Sequence, residues 1–178
     1  LEVLVTVSKP KTLILCGAFV AAMVASVASP SYAFLDKTRF VAHLGVAYFC
    51  FHHWVLKPFQ AGSFTTGSPQ SRIIPIAKGG AALLFAYHEV KVADKIAKNS
   101  NSPLLQKLDA GLSTLESQFS TIGAKLKGGH FDPADITSLS SATSAEQAVA
   151  TGAGSPIKDI SVPSLPSSDA AAAAAAEK

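Results

Sequence analysis

Cysteine is almost missing from this sequence. The two residues, Cys16 and Cys50, lie in segments of different fate, so an intrachain disulfide framework is excluded and stability has to come from packing. Charge is sparse as well, at 15% of residues, and nearly balanced at a formal +3. The basic residues never run three together, so there is no footprint for nucleic acid, which needs clustered Lys and Arg on one face. Catalytic carboxylate pairs, phosphate-cradling glycine loops and nucleophile motifs are absent too, and no enzyme class is indicated. No segment alternates apolar and polar residues over a credible strand length.

The opening segment contains an export signature. Lys9 and Lys11 precede an apolar run from Thr12 to Val27, Pro30 breaks the pattern, and Ser31-Tyr32-Ala33 places small residues where a signal peptidase reads them. The order predicts a signal peptide over residues 1–33 with cleavage between Ala33 and Phe34. Retention of the apolar run as a membrane anchor is the alternative, because its length approaches a bilayer span. Cys16 follows Leu15, where lipid attachment needs a small residue, and it lies too deep in the run for a lipoprotein signal.

Residues 34–150 form the predicted domain, about 115 residues and enough for one modest core. A first helix is expected from Asp36 to Leu56, with Phe40, Leu44, Ala47, Tyr48, Phe51 and Val55 on one face and Lys57-Pro58 as its stop. A loop follows from Gln60 to Gln70. The second helix is expected from Arg72 to Lys98, capped by Ser71, with Gly79, Ala82, Ala86, Ala93 and Ala97 forming a stripe of small residues that lets a neighbour approach closely. The third is the clearest. Ser102-Pro103 opens it, Gly128-Gly129 closes it, and Leu105, Leu108, Leu112, Leu115, Phe119, Ile122 and Leu126 recur at spacings of three and four in a coiled-coil-type seam. That seam either closes the domain's own core or docks a partner or second copy. A weaker fourth helix is expected from Pro133 to Ala150, capped by Asp132. Residues 151–178, rich in Pro, Ser, Gly and Ala, read as a disordered tail. The fold class is therefore all-α: a small bundle made of an apolar helical hairpin, a long amphipathic third helix and a weak fourth, with a disordered C-terminal tail.

The five histidines are the remaining chemical candidates. His52 and His53 are adjacent and point about 100° apart on a helix, so they cannot share a metal. Cys50 and His53 have helical ligand spacing, and His88 is a possible third ligand. His43, His52, His53 and His88 likewise define a haem- or metal-binding alternative, although no cofactor is predicted. Cys50 lies in an apolar helix without an orienting acid, the setting of an inert thiol. His52-His53-Trp54 followed by Lys57 has the composition of an aromatic and basic belt at a membrane interface, and residues 40–56 and 73–90 approach the shortest spanning length. The leading expectation is an exported, non-enzymatic helical protein of the cell envelope or exterior that acts by binding or self-association. A membrane-inserted hairpin is the other reading.

Overall fold

The computed structural model describes the backbone of residues 30–165 and the side chains from Phe34 onward. It is all-α among the described residues, with helices α1 (Pro30–Phe51), α2 (Lys57–Gln60), α3 (Pro69–Asn99), α4 (Pro103–Lys127) and α5 (Pro133–Gly152). A π-helical turn, His52–Leu56, joins α1 to α2. Residues 1–29, which hold most of the expected signal peptide, lie outside the described residues. The backbone of Ser31 and Ala33 belongs to the first turns of α1, and Phe34 is exposed beside them.

The first helix does not stop at Lys57-Pro58. Pro58 has no N–H, and its ring would collide with the carbonyl four residues back in an α-helix. The π turn relieves that conflict by widening the ladder: the Lys57 N–H bonds the carbonyl of His52, five residues earlier. The chain then continues helically to Gln60, one turn past the expected end. The next helix starts a turn earlier than expected, because Ser68 rather than Ser71 caps it. The Ser68 hydroxyl accepts from the Ser71 N–H, and Pro69 occupies the first helical position, where its missing donor costs nothing. Pro75 consequently sits inside α3.

Helix α3 is the centre of the bundle, packed between α1 and α4, with α5 against α4. Its small stripe, Gly79, Ala82, Ala86, Ala93 and Ala97, is buried throughout. The two adjacent glycines serve different neighbours. A Cβ on Gly79 would meet Phe64 at 3.3 Å and the Trp54 carbonyl at 3.4 Å, whereas one on Gly80 would overlap the backbone of Lys127 at the end of α4. Both sides of α3 thus admit backbone-close packing only because no side chain intervenes. All seven residues of the leucine seam on α4 are buried in the chain's own core. Each buried leucine there stabilises the fold by about 1.5–3 kcal/mol.

Helix α5 buries Ile136, Leu139, Thr143, Glu146 and Ala150, again at spacings of three and four. Packing outweighs its weak intrinsic propensity. Asp132 caps it as expected, accepting from the Ala134 N–H at 2.9 Å. The bundle closes where the Tyr48 hydroxyl of α1 donates to the Thr143 carbonyl at 3.2 Å.

The expected tail needs a correction. Gly154, at φ +71°, ends α5, and the Ser155 N–H returns to the carbonyl of Ala150. From Ser155 to Leu165 the chain lies back on the bundle as an extended strap. Ile157 is buried, the Ile160 N–H donates to the Gly45 carbonyl at 2.9 Å, and Gln147 Nε2 donates to the Ile157 carbonyl at 3.0 Å. The composition concealed four apolar residues, Ile157, Ile160, Val162 and Leu165, that find a seat on the bundle. Residues 166–178 lie outside the described residues.

Candidate interaction surface

Among the described residues, no three His, Cys, Asp or Glu side chains gather closely enough to hold a metal ion. The three candidate ligands meet different environments. Cys50 is fully buried, and desolvation, followed by the nearby charge of Glu89, pushes its thiol up to about 12. His53 is exposed and stacks on Phe49 with centroids 5.0 Å apart. His88 lies on α3, half-buried. Two other histidines pair with carboxylates instead. His43 Nδ1 is 2.7 Å from Glu89 Oε2, tying α1 to α3, and His52 Nδ1 lies 2.9 and 3.0 Å from the two oxygens of Asp159, tying α1 to the strap. Neither carboxylate was paired with a histidine by sequence spacing, since the partners are 46 and 107 residues apart.

The seam of Leu105, Leu108, Leu112, Leu115, Phe119, Ile122 and Leu126 presents no open face to a partner, because α4 spends it on the core. Among the described residues, no helix is long and apolar enough to cross a membrane. The apolar faces expected at 40–56 and 73–90 pack largely within the hairpin, where His43 and Glu89 pair across it, and Lys78 and His88 interrupt the second segment.

Unspent apolar surface collects in two places: at Phe34 and Leu35 at the start of α1, and at the end of the bundle where α2, the 61–68 turn, the start of α3 and the α4–α5 connection meet. Ile73 is 58% exposed and Ile74 73%. They are adjacent on α3, on turns that extend past the point where Gly80 meets the end of α4. Ile73 borders a groove lined by Phe64, Pro69, Arg72, Ile76, Gly129 and Phe131. The groove floor is aromatic. Phe131 packs edge-on against Phe64 at 5.3 Å and tilted against Phe59 at 5.8 Å, and Gly129, at φ +81°, lets the chain leave α4 and reach it. Trp54, in the π turn, is covered by Lys78, whose Nζ stands 3.9 Å from the ring centroid.

The charge of this end has one sign over a long stretch of chain. Between Asp36 and Glu89 there is no Asp or Glu. That span contributes Lys57, Arg72 and Lys78 to the end, and α4 adds Lys125 and Lys127. The opposing charges are Asp132 and Asp135, of which Asp135 pairs with Lys125 at 2.9 Å. Among the described residues, Lys57, Arg72, Lys78 and Lys127 make no ion pair. The sequence signal for this surface was available in two forms: the acid-free span, and an Ile-Ile pair placed off the small stripe of α3.

No protein-family model matches the chain, and no curated protein and no solved structure matches it.

Proposed function

We propose that this chain is an exported helical protein that works by binding, not catalysis, and that the end carrying Ile73 and Ile74 is its binding surface. The single observation that supports the reading most is the pair of adjacent, more than half-exposed isoleucines beside an aromatic-floored groove. Two such side chains held in water on a rigid helix gain nothing for the fold, and contiguous apolar surface of this kind marks contact with a partner or membrane. The export signature ahead of Phe34 supplies the expected compartment, the cell envelope or the exterior.

Photo-crosslinking in producing cells tests the reading. A benzophenone side chain placed at position 74 is expected to give a discrete adduct, with protein or lipid. The same probe at Val149, a lone exposed apolar residue on α5, is expected to give none. Equal and diffuse labelling from both positions would remove the surface from consideration.

A further inference from the structure

We infer that the partner of this surface is an anionic lipid surface, on which the Ile73 end of the bundle docks peripherally; the inference rests on the binding reading above and names its occupant. Three observations converge on lipid. The first is chemistry that occurs together at bilayer interfaces: exposed isoleucines, an aromatic groove, and a tryptophan whose ring sits under a lysine ammonium. Tryptophan and long basic side chains are enriched at the headgroup level because each presents an apolar body and a polar tip.

The second observation is charge. Lys57, Arg72, Lys78 and Lys127 lie on the elements that meet at this end and, among the described residues, make no ion pair. Basic residues held near an anionic bilayer each contribute on the order of fivefold to partitioning. A zwitterionic surface would leave them without that attraction.

The third is layout. An apolar rim flanked by basic residues buries a few ångströms into the headgroup region without spanning the bilayer. The Ile73 end has the parts for this, with exposed isoleucines at the start of α3 and basic residues on the elements that meet there. A second copy of the chain is a poorer occupant, since it would bring the same positive charges to face one another.

Intrinsic fluorescence tests the inference on the unmodified chain, because Trp54 is the only tryptophan and lies at this end. Vesicles mixing phosphatidylglycerol with phosphatidylcholine brominated near the carbonyl are expected to quench Trp54. Vesicles of brominated phosphatidylcholine alone are expected to leave it nearly unchanged. Ile73→Ser together with Ile74→Ser should weaken binding to the anionic vesicles about tenfold, from the apolar area no longer buried. Lys57→Gln with Lys127→Gln should weaken it by on the order of twentyfold. Far-UV circular dichroism of both variants checks that the bundle persists. Sedimentation with vesicles but no quenching would place the attachment elsewhere in the chain and overturn the inference, as would equal quenching by both vesicle types. A dimer by light scattering that the isoleucine substitutions dissolve would assign the surface to a second copy. Those results overturn the lipid assignment alone, whereas diffuse crosslinking from position 74 removes the binding surface itself.

Discussion

Glu146 of α5 lays its carboxylate over Gly111 of α4, in the space that a Cβ at position 111 would occupy. Oε1 of that carboxylate is buried and has no hydrogen-bond partner. A glycine in the middle of a helix costs about 0.5–1 kcal/mol relative to alanine, and here it makes room for an acid that burial penalises. Desolvation raises the Glu146 carboxyl from 4.5 to about 7.

The sign of the resulting pH dependence follows from which state keeps the proton. Below about 4.5, folded and unfolded chains are both protonated at this site and the contribution is fully favourable. As pH rises from there to about 7, the folded chain holds a proton that the unfolded chain has released, so stability falls. Glu146→Gln is expected to flatten this part of the profile and to be more stable than the native chain above neutrality. Urea midpoints measured across the interval check it. A native profile that rises through the same interval, with the variant parallel to it, would contradict the burial of a protonated acid.

The strap depends on Gly45 in a way that can be separated from the bundle. A Cβ there would stand 2.5 Å from the Lys158 carbonyl and 2.8 Å from the Ile160 side chain. Gly45→Ala should favour α1 by about 1 kcal/mol of helix propensity while unseating the strap. Amide hydrogen exchange is the readout: residues 155–165 lose protection, and the cores of α3 and α4 keep theirs. Unchanged protection at the Ile160 amide would mean that the strap does not need the glycine.

Cys50 is buried and its thiol is pushed up to about 12, so its nucleophilic thiolate is scarce at neutral pH. Thiol titration near pH 8 is expected to find it unreactive in the folded chain and fully reactive in denaturant. Stoichiometric labelling of the folded protein would reopen a chemical role for this residue.

Periodicity carried much of the architecture. The heptad-like seam from Leu105 to Leu126 and the small stripe from Gly79 to Ala97 are each one face of one helix, and such faces are visible in a linear sequence because helical neighbours recur at three and four. The Ser102-Pro103 start and Gly128-Gly129 end of α4 were equally local. What escaped was decided by contacts distant in sequence. Pro58 stops an α-helix in isolation but passes through a π turn held against α3. The strap mixes four apolar residues with five polar ones and two prolines, with no helical or strand period, and the space over Gly45, more than a hundred residues earlier, gives it a place to lie. The same limit applied to the surface. Ile73 and Ile74 read as ordinary helix residues until the bundle showed that α3 projects beyond the end of α4 and leaves them uncovered.

Equilibrium unfolding of Ile73→Ser/Ile74→Ser beside Leu112→Ala tests most directly whether the isoleucines serve contact or folding. Leu112 is fully buried, and its truncation should cost about 2–5 kcal/mol. The exposed pair should change stability by no more than about 0.5 kcal/mol per residue while anionic-vesicle binding weakens. A loss from the isoleucine variant as large as that from Leu112→Ala would contradict the assignment and return both residues to the core.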